Sequence, residues 1–161
     1  CMVAFKETGR IGKIPLVGEK ADFVTLTLRK SRTPERDSKE DEWLKFAAQC
    51  DRKCIILRDY EERPISLEDR WALYSRAYMN IMVINGPLTL CIHSDAPFIS
   101  MRTIGCEKSY STSPEFMKKL GITPGFQFPW AGQMQRLSYL DETAENIMAE
   151  YQAVTAMKEA A

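Results

Sequence analysis

Histidine is almost missing from this chain: His93 stands alone among 161 residues. One histidine cannot build a histidine-rich metal centre. Cys50 and Cys54 have no second close cysteine pair to complete a tetrahedral set, which argues against structural zinc. Net charge is also missing, because 22 Lys+Arg balance 22 Asp+Glu. That argues against a globally basic nucleic-acid binder and leaves room only for a local basic patch. No apolar run approaches the ~20 residues of a membrane-spanning helix. The opening CMVAFKETGR lacks the apolar core of a secretory signal. No GxGxxG follows a strand, and neither GxxxxGK[ST] nor GxSxG occurs. The usual dinucleotide fingerprint, the P-loop and the hydrolase nucleophile elbow are therefore unsupported.

What is present reads as one ordinary globular domain. Apolar residues make up 45% and charged residues 27%, which excludes a disordered or fibrous chain. Five cysteines, Cys1, Cys50, Cys54, Cys91 and Cys106, are an odd set in a chain long enough to build its own core. They read as free thiols in a reducing, cytoplasmic compartment, with Cys50 ending a helix and Cys54 opening a strand. No local signature marks any of them as a nucleophile. The chain opens on Cys1, so it is expected to be part of a longer protein, with residues 1–20 a linker or the edge of a missing N-terminal domain.

Strand and helix patterns alternate. Phe23 to Leu28 is rich in β-branched and large apolar residues and predicts a strand. Ser38, with Asp41 three residues on, predicts a helix start whose buried face is Trp43, Phe46, Ala47 and Cys50. Cys54 to Leu57 is an unbroken apolar run, as in a strand covered on both faces. Ser66 and Asp69 start a second helix with Leu67, Trp71, Tyr74 and Tyr78 along one face. Ile81 to Ile84 is a third strand, broken by Asn85-Gly86. Pro87 suits the first position of a short helix buried through Leu88, Cys91 and Ile92. Pro97 to Met101 is a fourth strand. Ser113-Pro114 caps a short helix stopped by Gly121. GITPGFQFPWAGQ reads as an ordered loop, Arg136 to Leu140 as a fifth strand, and Asp141 as the cap of a last helix bearing Ile147, Tyr151 and Val154. The fold class is α/β: a Rossmann-like parallel sheet of four to five strands flanked by helices.

Ligands of open parallel sheets sit beyond the carboxyl ends of the strands. That rule selects Arg29 to Asp37, with Arg29, Lys30, Arg32 and Arg36; Arg58 to Pro64; and Asn85-Gly86-Pro87 at a helix start. The glycine allows close backbone approach, the helix start suits phosphate, and arginine forks match phosphate oxygens. His93 reads as a structural or surface residue, since no carboxylate is placed to orient it as a base. The sequence names no catalytic residue, no metal and no cofactor.

The stretch VTLTLRKSRTPERDSKEDEWLKFAAQCDRKCIILRD resembles the donor half of GT-B-type glycosyltransferases, notably the heptosyltransferase-like group. There a strand leads to a basic loop and then a helix with an early Trp. AYMNIMVINGPLTLCIHSDAPFISM resembles that group's small-residue-Gly-Pro turn, short helix and Pro-led strand. The resemblance covers roughly residues 20 to 105 and implies a C-terminal, nucleotide-sugar-binding domain whose N-terminal acceptor domain is missing. It implies that Asn85, Gly86 and Pro87, followed by Leu88 and Thr89, lie beside the donor phosphates. Arg29, Arg32 or Arg36 would neutralise the leaving diphosphate, without a metal. Asn85 departs from the acidic or hydroxyl residue usual in that group. The rival reading is a non-catalytic α/β protein-interaction domain with Phe126 to Met134 as an exposed contact surface. A stand-alone flavodoxin-like enzyme is a third, for which no cofactor motif or nucleophile–base pair is found.

Overall fold

The computed structural model describes residues 12–31, 34–60, 64–109 and 111–159. Five strands form one all-parallel sheet: β1 Phe23–Leu28, β2 Lys53–Arg58, β3 Met79–Val83, β4 Phe98–Met101 and β5 Gln135–Leu137. Their spatial order is β2-β1-β3-β4-β5. The helices are α1 Glu40–Gln49, α2 Leu67–Arg76, α3 Leu88–Ile92, α4 Pro114–Lys119 and α5 Ala144–Glu159, with a 3-10 turn at Pro34–Arg36. This is the α/β, Rossmann-like parallel sheet that the alternating pattern predicted. Among the described residues no helix is long and apolar enough to cross a membrane.

Side chains alternate across a strand, and here they sort into two cores. Val24, Leu26 and Leu28 of β1, Met79, Ile81 and Val83 of β3, and Ile99 and Met101 of β4 face one way. They pack on Trp43 and Phe46 of α1 and on Ile147, Tyr151 and Val154 of α5. Met82, Phe98 and Leu137 face the other way, against Tyr74 of α2, Leu88, Cys91 and Ile92 of α3, and Phe128. The second face also carries buried polar groups, and those of Thr25, Thr27 and Asn80 are partnered. Thr25 Oγ1 donates to Asn80 Oδ1 at 2.6 Å, and Asn80 Nδ2 donates to the carbonyls of Tyr74 and Pro97. Thr27 and Tyr74 share a hydrogen bond of 2.6 Å.

Several local expectations are corrected. Cys54 to Leu57 lies in β2, which is an edge strand and only partly covered, because the chain returns to the far side of β1 for its third strand. Ser38 does not cap α1. Its Oγ accepts from the Arg29 N–H at 3.0 Å, and the helix begins after Lys39 without a side-chain cap. Asp141 does not cap α5 either; Thr143 Oγ1 accepts from the Asn146 N–H. Leu67 is exposed, and the buried residues of α2 are Arg70, Tyr74 and Ser75. The Ser66 and Ser113 caps form as predicted.

Within Gly121 to Met134, Ile122 and Phe128 are buried and Phe126, Trp130, Ala131 and Met134 are half-buried, while the other residues are exposed. Gly121, at φ 72°, ends α4 in a left-handed conformation that favours glycine. Phe128 is buried and stacks on Trp130, with ring centroids 5.1 Å apart. Gln127 pairs with Leu137 as a strand would: its Nε2 donates to the Leu137 carbonyl and its Oε1 accepts the Leu137 N–H. One side chain thereby covers the open edge of β5.

Candidate anion-binding site

The chain leaves β1 for β2 on one side and returns to β3 on the other. The carboxyl ends of β1 and β3 are therefore a topological switch point, where connections diverge and a crevice opens. Arg29 follows β1 directly, and its Nη1 donates to the Ile84 carbonyl just after β3 at 2.8 Å. The loop carrying the arginines is tied at its base: the Arg29 N–H donates to Ser38 Oγ, and the Ser38 N–H donates to the Arg29 carbonyl at 2.9 Å. Within it the Ser31 N–H donates to Asp37 Oδ1 at 2.6 Å. The Pro34–Arg36 turn then brings Arg36 across to Ser111, whose Oγ accepts from Nη2 at 3.0 Å.

A cavity of about 460 Å3 opens here. Its polar side is Arg29, Arg36, Asn85, Gly86, Thr89, Ser111 and Thr112. Its apolar side is Ile84, Leu88, Ile92, Phe116, Phe128 and Leu137. A narrow cleft between Arg29, Glu35, Arg36, Arg102 and Thr112 adjoins it. Among the described residues, neither Arg29 nor Arg36 has a carboxylate within ion-pair distance, whereas Arg52, Arg58, Arg70 and Arg102 each have one. Burial, and then the nearby guanidinium of Arg36, hold Arg29 below its ordinary pKa; Arg102 adds to this and Asp37 opposes it. Two neighbouring cations without an ion-pair partner make a site whose potential an anion relieves.

The sequence-selected residues Arg29, Arg36, Asn85, Gly86, Leu88 and Thr89 thus line one cavity. Pro87 does not line it, and Arg32 lies outside the described residues. Lys30 turns away, to the ring of Tyr60 at 5.3 Å. Of the Arg58 to Pro64 loop, Arg58 and Tyr60 both bond to Glu40, and residues 61–63 lie outside the described residues. His93 closes α3 without lining the cavity. The helix start differs from expectation in detail. The Leu88 N–H donates to Asn85 Oδ1 at 3.1 Å, the Thr89 N–H to the Gly86 carbonyl and the Leu90 N–H to the Pro87 carbonyl. With those donors engaged, and only five residues in α3, charge at the cavity comes from the arginines.

Sequence reasoning missed the segment after β4, which supplies Arg102, Ser111 and Thr112, and the aromatic wall of Phe116 and Phe128. Between Met101 and Ser113 no strand or helix period marks the chain. The available signal was the run of small and hydroxyl residues in TIGCEKSYSTS, directly after a predicted strand. Its Gly105 is fixed by close approach, since a Cβ there would lie 2.5 Å from Thr112 Oγ1. Among the described residues no group of three or more metal-ligating side chains occurs. Comparison with known protein families, with curated proteins and with solved structures gave no match for this chain.

Proposed function

We propose that the cavity binds a diphosphate-bearing nucleotide, and that the chain is the donor-binding domain of a GT-B-like glycosyltransferase. The observation that carries this reading is the pair Arg29 and Arg36, without carboxylate partners, at the mouth of an apolar cavity at the β1/β3 switch point. Guanidinium forks suit phosphate oxygens, and the wall of Ile92, Phe116 and Phe128 suits a planar base or a sugar face. About 460 Å3 is within the usual range for small-molecule sites. Asn85 adds a donor: its Oδ1 is used by Leu88, while its Nδ2 is buried without a hydrogen-bond partner. A ligand acceptor at that wall would satisfy it.

In transfer, Arg29 and Arg36 would stabilise the charge developing on the leaving diphosphate, the role that preorganised cations serve in such reactions. The base that activates an acceptor is not supplied by any residue of this cavity. Calorimetric titration with UDP, GDP and ADP tests the reading. Binding of one of them, lost in Arg36→Ala, is the expected outcome; no heat with any of them at millimolar concentration would refute it. The strand order β2-β1-β3-β4-β5 favours one second reading, since flavodoxin-like sheets place a flavin mononucleotide at the same switch point. A flavin mononucleotide arm in the same titration separates the two.

A further inference from the structure

Arg102 has a positive φ of 47°, alone among the described non-glycine residues. Such a conformation persists where surrounding contacts over-determine it. Here they do. The Arg102 N–H donates to the Leu140 carbonyl at 3.0 Å. Its Nη1 donates to the Glu35 carbonyl at 3.2 Å and its Nη2 to the Asp37 carbonyl at 3.0 Å, so one guanidinium grips both flanks of Arg36. The same Nη2 lies 3.1 Å from Glu142 Oε1, an ion pair off the hydrogen-bond line. Glu142 is wholly buried, and its Oε2 accepts from Trp43 Nε1 at 2.5 Å. Trp43 sits in the core beneath α1. A buried carboxylate demands a partner, so this pair is unlike a dispensable surface bridge.

The connection therefore runs from the core, through Trp43 and Glu142, to Arg102 and on to the backbone of the arginine turn. The turn's outer contacts are weaker. Arg36 to Ser111 and Lys108 to Glu35 are both exposed. The segment after β4 begins with Arg102 and ends at Ser111, so it holds Arg36 from both sides.

We propose that Arg102 is a positioning residue of the anion site: anchored on buried Glu142, it holds the Pro34–Arg36 turn so that Arg36 faces the cavity. This rests on the reading of the cavity as an anion site, and the experiment keeps the two separable. Arg102→Gly suits the positive φ, so it removes the guanidinium without adding backbone strain. Pairing it with Glu142→Gln avoids leaving a buried carboxylate alone. Arg102→Lys, which keeps the charge but reaches fewer acceptors, is the conservative companion and stays folded if the double variant does not.

Two quantities are read for each variant: amide exchange at Asp37 and Ser38 without ligand, and affinity for inorganic pyrophosphate by calorimetry. The double variant should exchange faster at both amides and bind pyrophosphate about tenfold more weakly, with Arg102→Lys intermediate. Because Arg102 acts through Arg36, adding Arg36→Ala should cause no further loss. Unchanged exchange at Asp37 and Ser38 would overturn the proposal, as would losses from Arg36→Ala and the Arg102 variant that simply add. Wild-type protein that takes up no pyrophosphate, while the variants still exchange faster, would count against the anion reading and for the hold of Arg102 on the turn.

Discussion

Arginines on the β2 side of the sheet and arginines at the β1/β3 crevice live in opposite surroundings. On the β2 side, Arg52 meets Asp22 and Asp51 at 2.6 Å, Arg58 meets Glu40 at 2.7 Å, and Arg70 meets Asp59 at 2.6 Å. Burial opposes the charge on Arg70, but Tyr74 and Asp59 more than offset it, and its pKa is raised. At the crevice Arg29 shifts the other way, held down by burial and by Arg36. A chain of zero net charge can therefore carry a local excess of positive charge where its strand order opens a cavity. Cations neutralised by the chain itself serve the fold; cations left without a carboxylate are available to a ligand.

The largest effect that would sharpen this contrast is on the paired side. Arg70 is nearly buried, bonded to Asp59 Oδ1 and to the Tyr74 hydroxyl at 3.2 Å. Arg70→Ala leaves Asp59 without its cation and should cost about 2–3 kcal/mol of stability, below the full range for buried pairs because Asp59 is partly exposed. A urea melt should show a lower midpoint with an unchanged slope. Nucleotide affinity of the folded variant should not move. At the crevice the signs reverse. Arg29→Ala combined with Arg36→Ala should weaken diphosphate binding by about two powers of ten while stability shifts by only about 0.5 kcal/mol. Arg36→Ala alone should weaken diphosphates more than monophosphates. A double variant that unfolds, or that binds as well as wild type, breaks the comparison.

The same contrast explains what could be read from the sequence. Phe23 to Leu28 was legible to the residue because an apolar, β-branched strand in mid-sheet is buried on both faces. The Ser66 cap was legible because its partner Asp69 is local in sequence. Ser38 was misread because its hydroxyl serves the Arg29 N–H, a choice set by how the loop closes on β1. Arg29, Arg36 and the Asn85-Gly86 turn could be placed together on one sheet edge because the edge rule depends only on strand ends. Arg102, Thr112 and Phe128 were not found, since their places follow from the order of strands in space and from long-range contacts such as Arg102 to Glu142. Periodicity carries no record of those.

Gly86→Ala should have the next largest effect. A Cβ at Gly86 would meet no atom within 4 Å, and the residue does not need a left-handed conformation. The substitution should leave stability nearly unchanged while placing a methyl group at the cavity wall. If a ligand packs closely there, affinity should fall about tenfold. Calorimetry on a variant with an unchanged melting temperature decides it. Retained affinity would move the ligand away from the Asn85-Gly86 turn and toward the arginine side alone.

The smallest effect concerns two carboxylates that titrate in opposite senses. The hydroxyl of Tyr60, and then Arg58, hold Glu40 below its ordinary value of 4.5. Burial pushes Glu142 above its ordinary value, against the pull of Arg102 and Trp43. For Glu40 the native state binds its proton less readily than the unfolded chain. Its contribution is present above 4.5 and is lost as pH falls through the folded value. For Glu142 the native state binds the proton more readily. Its contribution is largest below the ordinary value and is lost as pH rises through the folded one. Urea midpoints followed from acid to neutral pH should therefore diverge. Relative to wild type, Glu40→Gln should lose most near neutrality and approach wild type on acidification. Glu142→Gln should move the other way, gaining on wild type as pH rises, because wild type alone must then ionise a buried carboxyl. Parallel pH profiles for the two variants would mean that Arg102 fully compensates the burial of Glu142. That pair would then belong with the neutralised arginines of the β2 side.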